Sequence, residues 1–126
     1  MAPEERRYTV AQANRLLPAL SRVLRSLLDE LGQATNPGGV EQIRAGVGHN
    51  GGGPAASAML AAGRRAAQQM AFLEEHGILL RDLNSGLVDF PSSREGQAVF
   101  LCWRLGEAEI GFWHPRSSGF ADRRPL

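Results

Sequence analysis

The chain has 126 residues, 43% of them hydrophobic and 21% charged. That is the size and make-up of one globular domain, able to bury roughly two thirds of its unfolded surface without disulfides or a structural metal. Fourteen basic residues against thirteen acidic ones leave a net charge of +1, too little for a dedicated nucleic-acid binder. The single cysteine excludes an intrachain disulfide framework and a four-cysteine zinc site. No apolar run approaches the roughly 18 residues that span a membrane, and the opening MAPEERRYTV lacks the apolar core of a signal peptide. The expectation is a soluble, cytoplasmic domain. Every basic residue is arginine, which removes Schiff-base and phosphate-loop lysine chemistry.

Thr9 and Gln12 form a capping-box pattern at the head of the first helix. Ala13, Leu16, Leu17, Leu20, Val23, Leu24, Leu27, Leu28 and Leu31 then recur at helical spacing, within an arc of about 140°. The helix is expected from Val10 to Leu31, with Gly32 as its stop and Pro18 on the polar side. Residues 32–54 contain eight glycines and two prolines and read as a mobile linker, with one helical turn around Val40–Ala45 and a solvated His49. A second helix fits Pro54 to His76, with Met59, Ala62, Ala66, Met70 and Leu73 on one face and Gly77 as its C-terminal cap. His76 in its last turn suits the helix dipole.

After Gly77 the period of the pattern changes from 3.6 to 2. Ile78–Leu83 reads as a strand closed by the turn Asn84-Ser85-Gly86, and Leu87–Phe90 as a short strand ended by Pro91. Ser92–Gly96 reads as a loop and Ala98–Leu105 as the clearest strand. Gly106-Glu107 suits a two-residue type II′ turn, with Ala108–His114 returning. Pairing Leu105 with Ala108 sets Arg104 opposite Glu109, Trp103 opposite Ile110, Leu101 opposite Phe112 and Val99 opposite His114. In that register Val99, Leu101, Trp103, Ile110, Phe112 and His114 face the helices. Phe100, Cys102, Arg104, Glu109 and Trp113 face away.

Four segments are unusual together: GLVDFP (Gly86–Pro91), LCWRLGE (Leu101–Glu107), FWH (Phe112–His114) and GFADRRPL (Gly119–Leu126). With the opening YTVAQANRLLP (Tyr8–Pro18), they resemble an uncharacterised prokaryotic family, domain of unknown function 2203. The chain departs from that pattern at Gln12, where an acidic residue is expected, and at Asp122, where a small one is expected. The resemblance implies a shared fold; it implies no particular reaction, substrate or cofactor.

The expected architecture is α+β: two long antiparallel helices packed on a small, mainly antiparallel sheet that ends in a β-hairpin. It is a single domain, 1–126, with a helical hairpin over 9–76, a sheet part over 78–114 and an irregular basic tail over 115–126. His114, Glu107, Glu109, Asp89 and Cys102 are competent metal ligands. The chain has no His-x-x-x-His, Cys-x-x-Cys or Glu-x-x-His spacing, and the assumed register turns His114 and Cys102 to opposite faces. Glu107 and His114 would lie about 20 Å apart along the hairpin. No metal or other cofactor is therefore assigned.

The leading expectation is a non-enzymatic binding or protein-interaction module, a homodimer or a partner of another protein, working through the C-terminal hairpin and tail. A small anionic ligand would be held by Arg104 and Arg123, hydrogen-bonded by Glu107 and His114, and stacked on Trp113. The alternative is a small metal-dependent or acid–base enzyme using Glu107, His114 and Asp89. Convergence of these side chains in one pocket separates the two.

Overall fold

The computed structural model describes residues 7–35 and 54–126. Two helices, α1 (Val10–Thr35) and α2 (Pro54–Glu75), precede five strands: β1 (Leu79–Asp82), β2 (Leu87–Arg94), β3 (Gln97–Arg104), β4 (Phe112–Pro115) and β5 (Arg124–Pro125). A 3₁₀ turn, Phe120–Asp122, leads into β5. The strands form one antiparallel sheet in the order β1-β2-β3-β4-β5, so the expected α+β class holds. Among the described residues, no helix is long and apolar enough to cross a membrane. The described residues fall into two compact units, 7–24 with 72–126, and 25–35 with 54–71.

In the first unit, α1 opens with the reciprocal bonds of a capping box. The Thr9 amide donates to Gln12 Oε1 at 2.9 Å and the Gln12 amide to Thr9 Oγ1 at 3.1 Å. Ala13, Leu17, Leu20 and Leu24 are buried along the predicted stripe and Pro18 is exposed, as its place on the polar side requires. At the other end of the unit Gly77 caps α2 with φ +65°. Its amide donates to the Glu74 carbonyl, and the Ile78 amide reaches back to Leu73. That is a Schellman closure, in which only glycine takes the left-handed position without strain.

The second unit holds the later part of α1 and most of α2. Arg65 meets Glu30 with two bonds, at 2.5 and 3.1 Å, and Gln69 donates to Ser26 at 3.1 Å. Residue numbers rise along one helix as they fall along the other, so the pairing is antiparallel. Glu30, expected on the polar side, is buried by this ion pair. Met59, Leu60 and Met70 stay exposed on α2, so only Ala62 of the unit's predicted α2 stripe is fully buried. Gly32 does not stop α1, which continues to Thr35; a glycine costs a helix only about 1 kcal/mol. The suggested turn at Val40–Ala45 and His49 lie outside the described residues.

The sheet corrects the sequence reading in four places. Strand β2 runs through Pro91 to Arg94 instead of ending before it. The Pro91 carbonyl accepts the Tyr8 amide at 2.7 Å. In an antiparallel strand a residue's N–H and C=O point the same way, so proline's missing donor faces Tyr8 and β3 loses no bond. The expected loop Ser92–Gly96 is instead a tight hairpin. Arg94 pairs with Gln97, and Glu95 and Gly96 take φ +52° and +79°, the signs of a type I′ turn that matches sheet twist. The tail is not irregular throughout: Arg124 and Pro125 pair with Trp113 and Phe112.

The fourth correction decides the site. Strand β4 begins only at Phe112, and Cys102 pairs with Phe112, Leu101 with Trp113 and Phe100 with His114. The expected register is off by one residue, which reverses every β4 side chain. The proposed Arg104–Glu109 pair was worth at most about 1 kcal/mol at the surface. Ile110 faces the core in either register, but on the observed path its amide donates to Asn14 Oδ1 at 2.7 Å. It also turns His114 onto the face of Asp89, whose carboxylate its ring meets at 3.0 Å; a hydrogen bond to a charged group is worth about 1.5–3 kcal/mol, which outweighs the surface charge pair.

Candidate functional site

Alternation along the paired strands gives the sheet two distinct faces. Val88, Phe90, Val99, Leu101 and Trp103 are buried on the face that meets the start of α1, where Phe90 packs edge-on to Tyr8 at 5.3 Å. The β3 half of the predicted apolar face is therefore correct. Asp89, Phe100, Cys102 and His114 lie on the opposite face, and all four are buried there.

Asp89 and Cys102 are direct cross-strand partners; His114 sits one pair further along, opposite Phe100. Asp89 and His114 thus reach each other over the middle strand, above the small Cys102 side chain. His114 Nε2 is 3.0 Å from each Asp89 oxygen, and its Nδ1 is 2.8 Å from the Pro115 carbonyl. Arg81 Nε donates to Asp89 Oδ2 at 2.9 Å. One ligand atom from each of Asp89, Cys102 and His114 lies within 4.8 Å of the others. Burial and then the Asp89 carboxylate push the Cys102 thiol up to about 11, against the opposing pull of Arg123. The thiol is therefore protonated at neutral pH, not an activated nucleophile.

A cleft of about 350 Å³ opens onto this cluster. Its walls include Arg81, Asp89, Cys102, Arg116, Ser118 and Phe120. The guanidinium groups of Arg81 and Arg116 lie 5.1 and 4.5 Å from the centre of the Phe100 ring. A cation on an aromatic face is attracted by the ring quadrupole, so Phe100 holds both arginines in place.

Of the five residues singled out from sequence, His114 belongs to the cluster, Arg104, Glu107 and Arg123 lie in its surroundings, and Trp113 does not. Arg123 donates to Glu107 Oε1 at 2.5 Å and to the Cys102 carbonyl at 3.4 Å, and stacks on Phe112 at 4.0 Å. Glu107 also accepts the Arg104 amide at 2.7 Å, while the Arg104 guanidinium covers Phe120 at 5.4 Å. Glu107 therefore pins the loop after β3. Trp113 is on the other face, between Arg94 at 4.8 Å and Arg124 at 5.3 Å. Adjacent strand residues point oppositely, so Trp113 and His114 serve different surfaces. Cys102 joins His114 only because of the register, and Arg81 carries no local signal that marks it as a partner of Asp89.

The molecule so defined is an α+β domain whose antiparallel meander keeps a buried Asp–Cys–His cluster beneath an arginine-lined cleft. It belongs to the family described as "Uncharacterized conserved protein (DUF2203)", whose model matches residues 6–126. No curated protein and no solved structure matches the chain.

Proposed function

We propose that the chain is a non-enzymatic binding module that takes a small anionic compound, a phosphate or carboxylate, in the cleft over Asp89 and Cys102. The observation that carries this reading is the pair of guanidinium groups, Arg81 and Arg116, seated on one aromatic ring at the cleft wall. Arginine presents a planar fork of donors that matches both anions. Its volume falls in the range of about 300–1,000 Å³ used for small ligands. His114 is only 1% exposed and holds an oxygen at each ring nitrogen. It is therefore poorly placed to exchange a proton with a compound in the cleft, which favours binding over acid–base catalysis by Glu107, His114 and Asp89.

The test is thermal unfolding against increasing inorganic phosphate and, separately, citrate. A ligand at a hundred times its Kd adds about 2.7 kcal/mol of stability. The expected result is a saturable rise in Tm with at least one of the two anions, lost in Arg116→Ala. No rise with either, or an equal rise in the variant, overturns the reading.

A second reading, self-association through α2, is favoured by Met59, Leu60 and Met70, which are 41%, 64% and 39% exposed. Sedimentation equilibrium tests it: a dimer that Leu60→Glu converts to monomer supports it, and a monomer at all concentrations excludes it. The buried free thiol of Cys102 suits the reducing cytoplasm.

A further inference from the structure

We propose that Asp89, Cys102 and His114 form a binding site for one divalent transition-metal ion of the zinc class, held by a carboxylate oxygen, the cysteine sulfur and Nε2. The site does not depend on the anion reading, because its ligands differ from the residues that would hold the anion.

The argument begins with the His114 ring. Its Nδ1 faces the Pro115 carbonyl, which can only accept, so Nδ1 carries a hydrogen. In the neutral ring Nε2 is then an acceptor. Yet Nε2 faces two carboxylate oxygens at 3.0 Å, which are acceptors as well. Acceptors do not approach so closely in a buried site unless a cation lies between them. That cation is either a second ring proton or a metal ion. A ring whose far N–H is held by a backbone carbonyl is also the usual arrangement of a metal-ligating histidine, since it fixes the tautomer and aims the lone pair.

The rest of the cluster favours the metal. Cys102 brings a sulfur within 4.8 Å of both other ligand atoms, and a proton alone would have no use for it. One nitrogen, one sulfur and one oxygen suit zinc; magnesium and calcium take oxygen sets. Arg81 holds Oδ2 of Asp89, which leaves Oδ1 for an ion and orients the carboxylate as an outer-shell partner does. A divalent ion with one carboxylate and one thiolate is neutral overall, so burial costs far less than for an isolated charge. All three residues stand on hydrogen-bonded strands, which makes the set rigid. The cleft reaches Asp89 and Cys102, leaving room beside the ion for a further ligand. On binding, the thiol proton and any proton on Nε2 pass to solvent.

The experiment uses the whole untagged chain, stripped with chelator and titrated with Co²⁺, then Zn²⁺. One Co²⁺ per chain is expected, with a thiolate-to-cobalt charge-transfer band that one equivalent of Zn²⁺ removes. Because Cys102 is the chain's single cysteine, that band reports it directly. Cys102→Ser, folded by circular dichroism, is expected to lose the band. In ¹⁵N spectra of the His114 ring, Zn²⁺ is expected to replace the proton on Nε2. The proposal is overturned if the wild type takes up no stoichiometric ion, or takes it up without the band. It is equally overturned if Nε2 stays protonated in excess Zn²⁺.

Discussion

His114 Nε2 lies 3.0 Å from both carboxylate oxygens of Asp89, although the two residues stand on strands separated by β3. Adjacent strands are about 4.8 Å apart, so the pair must span roughly twice that distance over the middle strand. Cys102 permits this because it is small. Arg81 supplies the counter-charge at the outer oxygen.

Removing one member of this pair strands the others. Asp89→Ala leaves His114 and Arg81 without their shared acceptor, and loss of one partner from a buried pair costs about 3–5 kcal/mol. Urea unfolding is expected to show a fall of that size with an unchanged slope. A loss below about 1 kcal/mol would mean that the pair contributes little to the fold.

Cys102 offers a chemical readout of burial. With its thiol at about 11 instead of the ordinary 9.0, its thiolate fraction at pH 8 is about 100-fold lower. Alkylation by iodoacetamide in the metal-free native protein is expected to be at least that much slower than in urea. Equal rates in both conditions would place the thiol in solvent.

Gly86 closes the turn between β1 and β2 with φ +67°, and a Cβ there would come within 2.5 Å of Leu105 Cβ. The Leu105 amide donates to the Gly86 carbonyl, so the backbone has little freedom to retreat. Gly86→Ala therefore combines left-handed strain with a backbone-adjacent clash. The expected loss is about 1–3 kcal/mol, read from the urea midpoint. Gly96, with φ +79° but open space around its Cβ position, separates the two effects: Gly96→Ala should show the strain alone.

Hydrogen bonding by Arg65 holds the Glu30 carboxyl below its ordinary value of 4.5; burial opposes this, and the charge of Arg65 adds a lesser pull downward. A group depressed in the folded state contributes its stability above the unfolded value and loses it as pH falls through the folded value. Stability should therefore decline on acidification below about 4.5. Glu30→Gln should make that decline shallower. An identical pH profile for the variant would show that the pair does not couple to folding.

Much of the helical part was legible because its signals are local. The Thr9–Gln12 box, the stripe from Ala13 to Leu27 and the Gly77 closure each depend on residues within about two turns of one another. The inward face of β3 was equally readable, since alternation needs only the strand itself. Asp89, His114 and Cys102 were all visible as reactive residue types, but their meeting was not. That meeting depends on β4 sliding by one residue, and the contacts that accompany the slide are remote in sequence, the Ile110 amide bonding Asn14 from 96 positions away. Pro91 within β2 depends likewise on Tyr8, which takes the carbonyl on the edge where proline lacks its donor. Periodicity and capping determined which segments would be helix and strand, because those preferences are summed over neighbouring residues. Tertiary structure alone decided which face each β4 side chain would join. Sheet register has a period of two, so a slip of one residue is enough to turn a whole strand over.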